Sequence, residues 1–299
     1  MAFFSIVIPT FNRAKLIVPT IRSVQTQSFH DYEIIIVDDG STDGTQDVVA
    51  DLNVPGLRYI RTENKERGHA RNHGMRLAAG DFVVFLDSDD LFEKNHLQVL
   101  FDAIKKNPSS NFFATKYRFL TLQGSVRSSD MRNLLEGFYS YLDLLKGNFL
   151  ACNFCVRRIN PKIKWFEEDK KFSIMEDWMF LMENLRDDRL YLANEFTVLL
   201  RDHQDRSMNS DNQKIIDRKL IAAQWIEEHV ALSRSEQKVM WACAFYFCAI
   251  HAYLDHKKTQ GIRFIFSAIK LNGLKFSYFP LLSKTLMGKR IIELLKNEN

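Results

Sequence analysis

Long apolar runs are missing from this 299-residue sequence. A membrane-spanning helix needs about 20 apolar residues. The nearest approach, 241–250, is short and stops at His251, so no spanning helix is expected. Pro9 and Asn12 interrupt the first apolar run too early for an export segment, which makes a cytoplasmic protein the expectation. Cysteine is scarce as well. Cys152, Cys155, Cys243 and Cys248 are the full set, too few for a disulfide scaffold and suited to a reducing compartment. The Cys-x-x-Cys spacing of Cys152 and Cys155 admits zinc or redox chemistry. The second pair is spaced differently in an apolar helical stretch, so buried free thiols are expected. An excess of one charge is also lacking: 41 Lys and Arg against 37 Asp and Glu leave +4. That does not mark the whole chain as a nucleic-acid binder. Glycine is absent where a dinucleotide site needs it. Pro9-Thr10-Phe11-Asn12 follows the first strand-like run, and no P-loop occurs. These absences argue against a nicotinamide-dependent dehydrogenase. A bound nucleotide would have to be held by acidic side chains, an aromatic ring and a metal ion.

What is present is an alternation of strand and helix patterns. Phe4 to Ile8 is a β-rich run ended by Pro9. A helix begins near Pro19, a residue suited to a first helical position. Glu33 to Val37 reads as a strand, Thr45 to Leu52 as a helix capped by Thr42 or Asp43, and Leu57 to Ile60 as a strand. Arg67 to Ala79 reads as a helix closed by Gly80, and Phe82 to Leu86 as a strand. Strands that are almost wholly apolar, linked by helices, imply a mainly parallel sheet covered on both faces, a doubly wound α/β fold. Residues 91–200 are mixed, with helices over 93–106, 139–146 and 176–186 and strands over 111–122, 149–156, 190–192 and 197–200. After Asp211 the pattern is helical, over 213–230, 235–253, 261–270 and 284–296. The 24 Phe imply a large aromatic core or interface. A boundary in the polar stretch 205–212 divides a domain of 1–208, with halves 1–100 and 101–208, from a helical extension, 209–299.

The polar clusters follow strands. Thr10-Phe11-Asn12 follows the first, Asp38-Asp39 the second, and Asp87-Ser88-Asp89-Asp90 the fourth. Carboxylates ending a buried strand are costly unless something positive meets them. That end of an open α/β sheet is where ligands bind. Two carboxylates one residue apart suit a hard divalent cation that bridges to a substrate phosphate. The pattern points to a phosphorylated donor held through a metal.

Ser5-Ile6-Val7-Ile8-Pro9-Thr10-Phe11-Asn12-Arg13 resembles the opening of glycosyltransferase family 2. So do Ser23-Val24-Gln25-Thr26-Gln27-Ser28-Phe29 and the run from Ile36 to Gly44. Ala70-Arg71-Asn72-His73-Gly74 with Ala79-Gly80-Asp81-Phe82, and then Phe85-Leu86-Asp87-Ser88-Asp89-Asp90, continue the match in order. The resemblance is strong over 1–100, moderate over 101–205 and absent from the C-terminal helices. It implies the GT-A fold and inverting transfer of a sugar from a nucleotide donor. On this resemblance Asp39 would bind the uracil edge, and Pro9, Thr10 and Phe11 would line the base pocket. Arg71 would sit over the base or the phosphates. Asp87, with Ser88, would face the ribose or donor sugar, and Asp89 would ligate Mn²⁺ or Mg²⁺. An inverting displacement needs a base for the acceptor proton. Met175-Glu176-Asp177-Trp178 fits the family's acidic pair, with Asp177 as base and Glu176 and Trp178 shaping the acceptor site. The competing reading is that Glu176 and Asp177 merely begin a helix, where acids are favoured. Arg201-Asp202-His203 followed by Ser207 resembles a late loop that closes over the diphosphate. His203 is read either as a third metal ligand or as a surface histidine. His69 and His73 are read as helix-surface residues.

From Lys257 onward, Lys257, Lys258, Arg263, Lys270, Lys275, Lys284, Lys289, Arg290 and Lys296 face only Glu293 and Glu298. Bulky apolar residues are interspersed, a composition suited to an anionic membrane surface. The competing reading is a helical subdomain that packs on the core or on a second copy. The expectation is a UDP-sugar-dependent transferase. It would act on a glycan or lipid-linked acceptor in cell-surface polysaccharide or glycolipid assembly, moving a hexose or N-acetylhexosamine at the inner face of the cytoplasmic membrane. The rivals are a sugar-1-phosphate nucleotidyltransferase and a non-catalytic nucleotide-sugar-binding scaffold.

Overall fold

The computed structural model describes residues 2–203, 206 and 211–287. The chain runs β1 (Phe4–Thr10), α1 (Ile17–Gln25), β2 (Tyr32–Asp38), α2 (Thr45–Asp51), β3 (Leu57–Arg61), α3 (Glu66–Leu77), β4 (Phe82–Phe85) and β5 (Leu91–Phe92). It continues with α4 (His96–Lys106), β6 (Phe112–Leu120), β7 (Val126–Ser128), β8 (Gly137–Tyr139), α5 (Tyr141–Leu144), β9 (Cys155–Arg157), α6 (Glu176–Asn184) and β10 (Leu190–Arg201). Four helices follow: α7 (Asn212–His229), α8 (Arg234–Leu254), α9 (Lys258–Asn272) and α10 (Tyr278–Met287). Two compact units result, one of residues 1–141 with 149–203, the other of 142–148 with the described residues after 203. No periodicity in the sequence reveals that 142–148 belongs with the later helices. None of the described helices is long and apolar enough to cross a membrane.

The sheet of the first unit is ordered β3-β2-β1-β4-β9-β6-β10-β5, with β7 beside β6 and β8 beside β10. β1 to β4 pair in parallel. Every residue of β1 is buried, as a strand covered on both faces requires. The sheet is not parallel throughout. β9 runs antiparallel between β4 and β6, and β5 antiparallel to β10, which itself pairs in parallel with β6. Of the strand expected over 149–156 only the end is paired, because β9 is a short insertion. The two short strands expected over 190–200 are one, β10. Register shifts between Leu192 and Phe196 and between Phe196 and Val198 leave Asn194 and Glu195 exposed, which breaks the apolar pattern. The Phe-rich composition does fill the core. Phe154, Phe166 and Phe180 stack, with Phe166 and Phe180 4.0 Å apart and 9° from parallel, and Phe85 meets Phe154 and Phe166 edge-on.

Gly80 does not close α3. That helix ends at Leu77 with Ala78 extended, and Gly80 passes β1 so closely that a Cβ there would lie 2.8 Å from the Phe4 carbonyl carbon and the Ser5 nitrogen. Gly74 lets α3 settle on β1, since an added Cβ would meet Val7 Cγ1 at 2.3 Å. Gly74→Ala is expected to cost about 1–3 kcal/mol through overpacking. It should lower the urea midpoint at unchanged slope, and an unmoved midpoint would show that this helix–strand spacing is soft.

In the second unit α8 begins with a capping box between Ser233 and Glu236, which the Ser-x-x-Glu spelling encodes. Ala242, Ala249, Ile265 and Ala268 pack with Tyr278 and Leu281. The small residues bring α8 and α9 together. The last helix, expected over 284–296, already starts at Tyr278 and carries Pro280 in its first turn, where a missing N–H is tolerated. Residues beyond Met287 lie outside the described residues.

Candidate active site

The ends of β1, β2 and β4 are in step. Thr10 is in register with Asp38, the Asp39 N–H donates to the Thr10 carbonyl at 2.9 Å, and the Leu86 N–H donates to the Val7 carbonyl at 3.1 Å. The sheet grows from β1 toward β2 on one side and toward β4 on the other. The polar clusters therefore meet at a topological switch point, the usual ligand crevice of such sheets. Thr10 is buried and its Oγ1 has no hydrogen-bond partner. Phe11 is 44% exposed. Asn12, held in the left-handed region at φ 52°, accepts from the Thr42 N–H and so joins the two loops. Both oxygens of Asp39 accept backbone N–H groups, from Lys65 and Glu66 at 2.8 Å, and so fix the start of α3. Burial pushes the Asp39 carboxyl up despite those two bonds.

From α3, Arg71 reaches two carboxylates. Its Nη1 donates to Glu176 at 2.6 Å and its Nη2 to Asp87 at 2.8 Å, with its guanidinium over the Phe166 ring. Arg71 and Glu176 are both almost fully buried, and Arg67 adds a second cation 3.8 Å from Glu176. One arginine thus ties the strand-end acids to the first turn of α6, 105 residues away. Two strained residues lie beside this bridge. Glu66 has φ 72° and Ile174 φ 81°, and the Ser173 hydroxyl donates to Glu66 Oε2 at 2.9 Å. A β-branched residue at positive φ is costly and recurs at functional sites. Asp177 follows Glu176 on α6 and keeps some contact with solvent. Burial, together with the neighbouring Glu176 charge, raises its carboxyl to about 6, and the Arg71 charge opposes the rise.

Asp87, Asp89 and Asp90 each offer a carboxylate oxygen, all within 4.8 Å of one another, a donor set that suits a hard divalent cation. His203 Nε2 lies 2.9 Å from Asp89 Oδ2, and Arg13 Nε lies 3.7 Å from the same oxygen. Burial disfavours the Asp89 anion, but the His203 hydrogen bond and the Arg13 charge outweigh it and hold the carboxyl at about 2. Arg201, at the end of β10, stabilises the loop from behind. Its N–H donates to Asp90 at 3.0 Å, its Nε to the Asp89 carbonyl, and its Nη2 to the Leu16 carbonyl at 2.7 Å.

The family model "Glycosyl transferase family 2" matches residues 5–164, more than half of the chain. The chain is a family 2 glycosyltransferase. It is 29% identical over 224 residues to the poly(ribitol-phosphate) beta-N-acetylglucosaminyltransferase TarP of Staphylococcus aureus, a match covering 70% of this chain and 66% of that one. It is 42% identical over 94 residues, 30% of each chain, to the GalNAc(5)-diNAcBac-PP-undecaprenol beta-1,3-glucosyltransferase of Campylobacter jejuni. Several curated relatives are much longer, and the matched segment covers 22% or less of their length. The solved structure of S. aureus TarS 1–349 in complex with UDP-GlcNAc superposes with a TM-score of 0.70 at 21% identity, over 96% of this chain and 87% of that one. That likeness shows the GT-A fold.

In this glycosyltransferase the structure gathers Pro9, Thr10, Phe11, Asp39, Arg71, Asp87, Ser88, Asp89, Glu176, Asp177 and His203 on the first unit. Several occupy other surroundings than the motifs suggest. Arg71 is taken up by protein carboxylates. Glu176 is buried between Arg71 and Arg67, and Trp178 is 1% exposed, a core side chain. Ser88 is buried too, its carbonyl accepting from the Thr20 hydroxyl at 3.0 Å. Ser207 lies outside the described residues. Cys152 and Cys155 are buried free thiols, and burial raises both. Arg13, Arg67 and Arg201 also face the site acids, and no motif assigns them those partners. The buried acids were the available signal, since each needs a cation.

Proposed function

We propose that this glycosyltransferase is inverting and transfers a hexose or N-acetylhexosamine from a UDP-sugar to a hydroxyl of a glycan or lipid-linked acceptor. In this reading the acceptor oxygen attacks the anomeric carbon, Asp177 takes its proton, and the bond from that carbon to the diphosphate breaks with its electron pair leaving on the diphosphate. The observation that carries the reading is Asp177 itself, raised to about 6 beside the Arg71–Glu176 pair. A carboxylate of that strength is a better proton acceptor near neutrality than an ordinary one. Asp39 and the unpartnered Thr10 hydroxyl would meet the uracil, with Phe11 at the rim. Asp89 and His203 would hold Mn²⁺ or Mg²⁺, with Asp87 and Asp90 adjacent. When bound, the cation offsets charge on the leaving diphosphate. Arg13, beside Asp89, is placed to add to that. The names of TarP and of the undecaprenol-dependent relative support N-acetylglucosamine or glucose as the first donors to test, and wall or lipid-linked glycans as acceptors. Such acceptors would place the enzyme at the inner face of the cytoplasmic membrane.

Purified protein with Mn²⁺ is expected to hydrolyse one of a panel of nucleotide-sugars slowly, releasing free nucleotide. Chelator should abolish that release, and Asp89→Ala should reduce it by about 10²-fold or more, in line with losing one charge-stabilising element. Turnover unchanged by both treatments would remove the metal from the reading. Absence of binding to any nucleotide-sugar would overturn it.

A further inference from the structure

We propose that the corner between α9 and α10 is a docking surface for an anionic lipid bilayer. From Lys257 to Met287 the sequence holds Lys257, Lys258, Arg263, Lys270, Lys275 and Lys284 and no acidic residue. On α9 the exposed residues Arg263, Phe266 and Lys270 lie three and four positions apart, one stripe of the helix. The chain reverses at Gly273, φ 70°, into an exposed tip on which Leu274 and Phe276 are 64% and 93% exposed. Phe279 and Leu286 on α10 continue the apolar series, and the Phe276 and Phe279 rings are 6.2 Å apart. The tip is held in place. The Tyr246 hydroxyl donates to the Ser277 carbonyl at 3.1 Å, and Tyr278 is buried against Tyr246 at 5.3 Å. Lys257 is paired with Asp255, whereas no ion pair among the described residues takes up Arg263, Lys270, Lys275 or Lys284.

Large apolar side chains grouped on a soluble surface mark an interaction site. The charge between them selects the occupant. A second copy in a two-fold contact would bring the same cations face to face. Nucleic acid would neutralise the lysines but leave Leu274 and Leu286 in water. Anionic headgroups satisfy the cations while the acyl boundary takes Phe276, Leu274 and Phe279. This surface needs no sugar donor or acceptor, so it stands apart from the transferase reading.

The test uses the full chain in flotation with vesicles of phosphatidylcholine alone or with added phosphatidylglycerol. The chain is expected on the anionic vesicles only, and to be released by high salt. Arg263→Gln, Lys270→Gln and Lys275→Gln combined should weaken partitioning about a hundredfold, taking about fivefold for each charge. Phe276→Trp keeps a ring at the tip and puts folding at little risk. Its emission should shift to the blue on anionic vesicles and be quenched by brominated acyl chains. No retention on anionic vesicles, equal retention of the triple variant, or emission unchanged by lipid would each overturn the proposal. So would a dimer in solution that Phe276→Ser disperses.

Discussion

Asp177→Asn is expected to lower turnover by about 10³-fold while donor affinity stays within a few-fold of the parent. The amide keeps the shape of the side chain and its place on α6, but it cannot take a proton, and a positioned base is worth about 10²–10⁴-fold. Asp39 and Thr10, proposed to meet the donor, lie on other elements than α6 and should still bind. The pH profile carries the same information. The carboxyl sits at about 6 instead of near 4, because it is buried beside Glu176. Only its deprotonated form accepts the acceptor proton. kcat/KM should therefore be flat above that region and fall about tenfold per pH unit below it, and the limb should vanish in Asp177→Asn. Turnover that survives the substitution would assign the base elsewhere. Loss of donor binding together with turnover would make Asp177 part of the donor site. A scaffold that only binds nucleotide-sugar would show no turnover to lose.

Arg71→Ala is expected to be strongly destabilising to the first unit. It would strand Glu176, which is 2% exposed, and remove the direct partner of Asp87. Removing one side of a buried ion pair costs about 3–5 kcal/mol, chiefly because the other charge stays buried. In a unit of this size that corresponds to a fall in Tm of roughly 10 °C. The remaining cation near Glu176, Arg67, lies at 3.8 Å and is more exposed, so it offers partial cover. The companion Arg71→Ala/Glu176→Gln removes the stranded charge and should recover part of the loss. A single variant within about 1 kcal/mol of the parent, or a double variant no better than the single, would show that the bridge contributes little to folding.

Much of the first hundred residues was legible because the physics there is local. Apolar runs such as Phe4 to Ile8 and Glu33 to Val37 are buried on both faces, and the polar residues after them mark the sheet edge. The Ser233-x-x-Glu236 box, the Asp87 to Asp90 acids and the acidic first turn of α6 are read within a few residues. Parallel pairing with β6 was not legible, because the two bulges in β10 destroy the alternation that a strand otherwise displays.

Sequence alone determined the α/β class, the family, the acids at the strand ends and the basic composition of the last helices. Only the tertiary structure decided what each charge faces. Arg71 joins Asp87 to Glu176. Trp178 was expected at an acceptor and is core, while Arg13 and Arg201 emerged beside Asp89 and Asp90. The reason is physical. Burial of an apolar strand depends on its own residues, but the partner of a buried charge is selected across 16 to 111 residues of chain, by packing that no local pattern records.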